Sequence, residues 1–435
     1  MKTRILTPTL LWLWLSLFMM LPAGAQNALI EQLQQIASIT QIDTLPASKH
    51  YPHRYLLRFT QPIDHSHPEL GNFSQRILLC HTGFDRPTVI ETEGYDANYS
   101  LHPNYREELS LLIRANLLVV EHRYFDASTP QPRDWQYLTT ENSAHDLHAI
   151  TTAFKRIYPR KWASSGISKG GQTTLLYRTF YPDDVDFSVP YVAPLCFSDQ
   201  DRRQEEFLRH VGTDEQRNRI LAFQREVLRR RTTMEPLLEK YCQQYNLQFR
   251  APLSTILDFC VMEYSFALWQ WGTPTDKIPA TDATDAELFR HLMEVSNADY
   301  FRTDTPHLSF FVQAAHELGY YTYDIRPFKG LLSIQSSRDY LHRLMLPAEL
   351  KELKFDKGLS RRMTKFLKKN DPRILFIYGE TDPWTSAGVT YLKGKQNIHV
   401  FIGAGGSHST RIHTLSQEQQ EEIKRILSQW LDEEL

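Results

Sequence analysis

Gly166-Ile167-Ser168-Lys169-Gly170 has the Gly-x-Ser-x-Gly form of a nucleophile elbow, in which a serine sits on a strained turn between a strand and a helix. Small residues are needed there because the turn is tight. It lifts the serine hydroxyl to the head of a helix, where backbone N–H groups can hold a developing oxyanion. The five-residue match alone is weak, since glycine-rich turns produce it by chance. Its context is stronger. Trp162-Ala163-Ser164-Ser165 reads as a buried strand before the turn, and residues 171–178 read as a helix after it, stopped near Pro182.

A nucleophilic serine needs a base, and the base needs an orienting acid. Asp382 lies in the loop after the strand-like run Ile374-Leu375-Phe376-Ile377-Tyr378, with Glu380 as the competing carboxylate. His408 ends the glycine-rich run Gly403-Ala404-Gly405-Gly406-Ser407 after another strand, and His413 is its near rival. With 17 histidines in the chain, one histidine means little. Joint placement carries more weight: Ser168, Asp382 and His408 each fall at the end of a predicted strand, in the order serine, acid, histidine. The expected oxyanion donors are the backbone amides of Lys169 and Tyr95, the latter from Glu91-Thr92-Glu93-Gly94-Tyr95-Asp96, the loop after the third predicted strand. The Lys169 side chain reads as a solvated charge without a chemical role.

The elements that must position these groups alternate between strand and helix. Strand-like runs occupy 55–59, 75–80, 88–92, 117–121, 162–165, 187–192, 374–378 and 398–402, with helical patterns such as 143–157 and 417–431 among them. Alternation of this kind predicts a mostly parallel sheet flanked by helices. Residues 199–365 differ, being helical throughout: 213–245 has heptad-like apolar spacing, and 253–272 is an aromatic-rich apolar helix. With the serine motif and the Asp382/His408 pair on either side of this block, the expected architecture is an α/β-hydrolase fold. Its core would span 26–198 and 366–435, with a helical lid inserted at 199–365 after the sixth predicted strand. Two independent domains are the alternative.

The 435 residues, 41% of them hydrophobic, suffice for a substantial core. A formal charge of −2 with acids and bases intermixed provides no field for nucleic acid, and no nucleic-acid partner is expected. Lys2 and Arg4, the apolar run 10–21 and the small residues Ala23-Gly24-Ala25 read as an export signal over 1–25, cleaved after Ala25. The run is shorter than the ~20 residues of a spanning helix, so the mature chain is expected to be secreted or periplasmic, without stable membrane insertion. In an oxidising compartment Cys80, Cys196, Cys242 and Cys260 could pair, Cys242 with Cys260 being the more natural choice. None has metal-ligand spacing, and neither a metal nor another cofactor is expected. His65-Ser66-His67 reads as a loop.

Several segments carry a resemblance. Gln61-Pro62-Ile63-Asp64-His65, Glu121-His122-Arg123-Tyr124-Phe125, Tyr137-Leu138-Thr139, residues 143–150, Glu317-Leu318-Gly319-Tyr320 and Asp382-Pro383-Trp384 resemble the lysosomal Pro-Xaa carboxypeptidase and dipeptidyl-peptidase family. The serine motif and Glu-Thr-Glu-Gly-Tyr-Asp differ from that family's usual forms. They are similar to a bacterial relative, the secreted prolyl tri- and tetrapeptidyl aminopeptidases. The resemblance implies a serine peptidase acting on peptide substrates, releasing short fragments from a free N-terminus by cleavage after proline. Composition and spacing do not themselves imply any of this.

A proline ring suits a compact pocket with flat aromatic walls, for which Trp384, Phe266 and Trp269 are candidates; packing within the lid is the alternative for each. An aminopeptidase must also hold the substrate ammonium, and Glu263, Glu317 and Glu93 are the carboxylates considered for it. A structural ion pair is the alternative role. Two other functions stay open at this level: an esterase or lipase on the same fold, and a peptide-binding protein without catalysis.

Overall fold

The computed structural model describes residues 22–435. The positive start and apolar run of the expected export signal lie outside them, and the Ala25–Gln26 step falls within helix α1 (Pro22–Gln34). Among the described residues nine strands form one sheet: β1 (Ile39–Leu45), β2 (His53–Pro62), β3 (Asn72–His81), β4 (Thr88–Thr92), β5 (Asn116–Val120), β6 (Trp162–Ile167), β7 (Phe187–Tyr191), β8 (Ile374–Gly379) and β9 (Ile398–Gly403). Their order is β1-β2-β3-β5-β4-β6-β7-β8-β9. Pairing is antiparallel from β1 to β5 and parallel from β5 through β4, β6, β7 and β8 to β9. Strands β4, β5 and β7 are buried along their whole length, as expected where helices cover both faces. This is the mostly parallel, helix-flanked sheet of an α/β-hydrolase.

Strand β1 has no counterpart among the expected runs. Its sequence, ITQIDTL, is polar and lacks period-2 alternation, because it is an edge strand paired on one side only. The loop carrying Glu93 and Tyr95 consequently follows the fourth strand, and the long helical segment follows the seventh.

Helices α2 (Glu108–Leu112), α3 (Thr140–Phe154), α4 (Lys169–Phe180) and α12 (Gln417–Leu431) flank the sheet. Between β7 and β8 come α5 (Arg203–Leu208), α6 (Asp214–Arg229), α7 (Arg231–Tyr245), α8 (Leu253–Trp271), α9 (Asp285–Val295), α10 (Leu308–Gln313) and α11 (Gly358–Lys369). The apolar helix α8 is buried over most of its surface at the centre of this block, with α6, α7 and α9 packed against it. The 213–245 pattern is two helices, broken at Arg230. That guanidinium bonds Glu226, Asp285 and the Ala283 carbonyl, tying the break to the start of α9. Apolar spacing carries no sign of such a tertiary anchor.

All four cysteines are buried free thiols, which corrects the expected Cys242–Cys260 pairing. The two belong to neighbouring helices, α7 and α8, but sit as apolar core residues; burial pushes the Cys80 and Cys196 thiols up to about 12 and Cys242 to about 11. No helix among the described residues is long and apolar enough to cross a membrane.

A buried cation joins segments that the sequence leaves far apart. Arg123, with a fully buried side chain, grips Asp146 of α3 through Nε and Nη2, both at 2.7 Å, and donates to the carbonyls of Pro62, Ile63 and Tyr137. His65 adds a 2.8 Å contact to the same carboxylate. Removing one partner of such a pair leaves an uncompensated buried charge. Arg123→Met is therefore expected to destabilise the fold by about 3–5 kcal/mol. A fall in the denaturant midpoint at constant slope would register it, and an unchanged midpoint would show that the network does not hold these segments together.

Candidate active site

Ser168 links β6 to α4 with φ 59° and ψ −120°, a strained conformation for a non-glycine residue. The turn is held by the Ser168 N–H, which donates to the Tyr191 carbonyl at the end of β7 (2.9 Å). Gly166 permits it, because a Cβ there would lie 2.4 Å from the Gly170 carbonyl oxygen. The backbone therefore has the strand–turn–helix form that a nucleophile elbow requires.

Asp382 and His408 lie after β8 and β9, at the same edge of the sheet. The His408 Nδ1–H donates to Asp382 Oδ2 at 2.6 Å, and both residues are buried. Asp382 Oδ1 accepts the Trp384 N–H at 3.1 Å, with Pro383 opening the short helical turn that the carboxylate caps. One carboxylate oxygen thus shapes the Asp-Pro-Trp loop while the other orients the imidazole. Glu380 instead accepts the Gly405 N–H and is exposed. His413 is solvent-facing and bonded to Glu108 of α2, away from this pair.

The Tyr95 loop packs against the head of α4. Lys169 is the first residue of α4, and its amide is one of those a helix leaves without an internal acceptor. Its side chain is buried, not solvated as the sequence suggests: Nζ donates to the Gly94 carbonyl at 2.5 Å and lies near the Tyr95 and Phe125 rings. Alternation of charge and glycine in the sequence could not reveal that the β4 loop folds over this residue. Burial drives the lysine well below its ordinary range, while Glu93 and Glu317 oppose that shift.

Ser168, Lys169, Tyr95 and His408 line one cavity of about 650 Å³, whose far wall comes from the helical block. Trp384 and Glu263 line it as well. Glu263 accepts hydrogen bonds from the Tyr321 and Tyr323 hydroxyls (2.9 and 2.7 Å), and burial pushes its carboxyl up to about 7 against those donors. Glu93 lines the opposite side, bonded to the Tyr99 hydroxyl and pushed by burial to about 7.

Three candidates are placed elsewhere. Phe266 does not reach the cavity but stands behind its wall, stacked on Tyr321 at 4.0 Å and edge-on to Trp384. Trp269 turns away toward Gly212 in the interior of the helical block. Glu317 points out of the cavity: both its oxygens accept from Thr140 (N 2.6 Å, Oγ1 2.9 Å), capping α3 from outside, and burial raises it to about 7.

Several lining residues went unnoticed in the sequence, among them Trp271, Tyr300, Tyr320, Tyr321 and Arg411. A signal for one of them was present. Glu263, Ala267, Gln270 and Trp271 are spaced i, i+4, i+7, i+8, a single face of α8, and all four line the cavity. That spacing selects Trp271, whose ring meets His408 edge-on at 5.8 Å, over Trp269.

Several known proteins are similar to this chain. A curated relative, the prolyl tri/tetrapeptidyl aminopeptidase of Streptomyces mobaraensis, is 31% identical over 394 residues, covering 87% of this chain and 80% of its own. Solved structures with similarity include a proline iminopeptidase of Mycobacterium smegmatis (15% identical, 90% of this chain and 98% of that one, TM-score 0.38) and the carboxylesterase EstE1 from a metagenomic library (11% identical, 94% and 97%, TM-score 0.38). The family model of PS-10 peptidase S37 matches residues 26–432. The chain belongs to the PS-10 peptidase S37 family and is a serine peptidase on an α/β-hydrolase scaffold.

Proposed function

We propose that the protein is a secreted serine exopeptidase that releases tri- or tetrapeptides from free N-termini by cutting after proline. The observation that carries this reading is the shared cavity, with Ser168 and His408 on the sheet side and the Glu263 carboxylate among tyrosines on the helical side. The activity for which the Streptomyces relative is named supports the same substrate class. In this reading residues 199–365 act as the lid, and the family match beginning at residue 26 fits removal of the preceding segment as an export signal.

His408 would take the Ser168 proton as the hydroxyl attacks the carbonyl of proline, with Asp382 holding the imidazole tautomer. The Lys169 and Tyr95 amides would bind the oxyanion, the leaving amine would take the proton from His408, and water would then release the acyl group. Trp384 and the tyrosines offer flat walls for the proline ring. Glu263 would pair with the substrate ammonium, which fixes the distance from the N-terminus to the cut.

The test pairs proline-containing peptides that have free or acetylated N-termini. Cleavage after proline in the free-amine peptide alone is expected; equal cleavage of both would sink the aminopeptidase reading. Glu263→Gln should raise KM for the free-amine peptide by about 30-fold or more, the ~2 kcal/mol lower bound for truncating a buried charge pair. Competitive inhibition by the acetylated peptide should show no such change. The pH dependence follows from the raised carboxyl. Glu263 is protonated below about 7 in the free enzyme and loses the charge that holds an ammonium, so kcat/KM should fall as pH drops through that value. Glu263→Gln should lessen this fall for the free-amine peptide, and an unaltered profile would remove Glu263 from amine recognition.

A further inference from the structure

Lys169 presents a physical problem that the proposed mechanism leaves unsolved. Its side chain is buried beside the nucleophile, yet the hydrogen bond of Nζ among the described residues goes to a neutral carbonyl, Gly94 O, at 2.5 Å. Glu93 and Glu317 attract it electrostatically without bonding to it. Placing an ammonium in such a site carries a desolvation cost of several kcal/mol, and a methionine of similar length would fill the space without it. Stability alone therefore does not account for a lysine here.

The peptide it grips is the one that matters. The Gly94 carbonyl and the Tyr95 N–H belong to the same peptide unit, and that bond is trans. In a planar trans peptide the C=O and N–H point in opposite directions, so fixing one end fixes the other. The next unit is pinned as well, because the Tyr95 carbonyl accepts the His122 N–H at 3.2 Å. The loop is pressed onto α4 closely enough that a Cβ at Gly94 would lie 2.6 Å from Lys169 Cβ and 2.8 Å from the Gly170 nitrogen. The Tyr95 amide has no acceptor among the described residues, and Tyr95 lines the cavity together with Ser168.

We propose that Lys169 is a positioning residue for the oxyanion hole: its Nζ holds the Gly94 carbonyl and thereby aims the Tyr95 N–H at the reacting carbonyl oxygen. One residue then builds both halves of the hole, donating its own amide and orienting the second through its side chain. The inference rests on the oxyanion-hole reading given above. It concerns the chemical step and is independent of which peptide is cut.

The test is Lys169→Met in the full-length enzyme, read by kcat and KM on a proline peptide and by the rate at which a fluorophosphonate labels Ser168. Phosphonylation passes through the same oxyanion site but needs no peptide specificity. Lys169→Met is expected to lower kcat and the labelling rate together, by about 10- to 100-fold, with KM changed less than about twofold and the melting temperature not reduced. Lys169→Gln, which retains an N–H donor, should recover part of both rates. The proposal is overturned if Lys169→Met keeps both rates within about twofold of wild type, if the loss appears in KM alone, or if glutamine does no better than methionine. Should Lys169→Met fail to fold, Lys169→Ala takes its place and is judged against Lys169→Gln by the same criteria. A wild-type enzyme that labels readily but does not cut after proline would remove the substrate reading while leaving the labelling comparison valid.

Discussion

Ser168→Ala is expected to lower kcat by about 10⁵- to 10⁶-fold while leaving peptide binding and the fold intact. The size of the effect follows from what the hydroxyl would do. In the proposed mechanism it would form the acyl-enzyme, and without it neither His408 nor Asp382 would have a nucleophile to act on; the remaining acceleration would come from the oxyanion amides and the positioned substrate. The fold should survive because the side chain does not cap α4, and the turn is held by the Ser168 N–H to the Tyr191 carbonyl, which alanine retains. The measurement is kcat on a free-amine proline peptide, with product affinity and a melting curve taken alongside. A variant retaining a tenth of the activity would rule out Ser168 as the nucleophile. A wild-type protein that binds such peptides but turns over neither them nor simple esters would point to binding without catalysis.

What the sequence made legible follows the physics of burial. Strands β4 to β8 are short runs buried on both faces in the parallel part of the sheet, and their positions could be read within a residue or two. Edge strand β9 was equally legible because its run IHVFIG stays apolar although Val400 and Ile402 are exposed. The opposite edge strand β1 could not be read, because its run ITQIDTL is mostly polar. The order of Ser168, Asp382 and His408 was equally readable, since each group follows a strand that announces itself.

Side-chain direction was the weaker signal. Glu317 and Glu263 look alike in sequence, each a carboxylate among apolar residues. Only the packing of the helical block against the start of α3 shows that Glu317 caps Thr140 while Glu263 faces the cavity. Lys169 looked like a surface charge because nothing local records that the β4 loop closes over it. The segments at 61–65, 121–125, 137–139 and 143–150 carried the family resemblance without an evident reason. In the structure they meet at the guanidinium of Arg123, which bonds Asp146 and three backbone carbonyls drawn from them.

Asp382→Asn should lower kcat by about 10⁴-fold, whereas Glu380→Gln should leave it near wild type. The contrast comes from hydrogen-bond polarity. Asp382 Oδ1 accepts the Trp384 N–H, and an asparagine at this position must keep its oxygen there or bury an unsatisfied amide. Its NH₂ group then faces His408 Nδ1, where the native carboxylate accepts at 2.6 Å. A donor facing Nδ1 forces the proton onto Nε2, so the imidazole cannot accept the proton of Ser168. The Asp-Pro-Trp turn keeps its cap in this variant, so the loss should appear in kcat with little change in melting temperature. Among the described residues the Glu380 side chain bonds the Gly405 amide at the exposed side of the His408 loop, and a glutamine oxygen can accept the same N–H. Steady-state kinetics on both variants decide between the two carboxylates. A loss below tenfold in Asp382→Asn, or above tenfold in Glu380→Gln, would overturn the choice of Asp382 as the orienting acid.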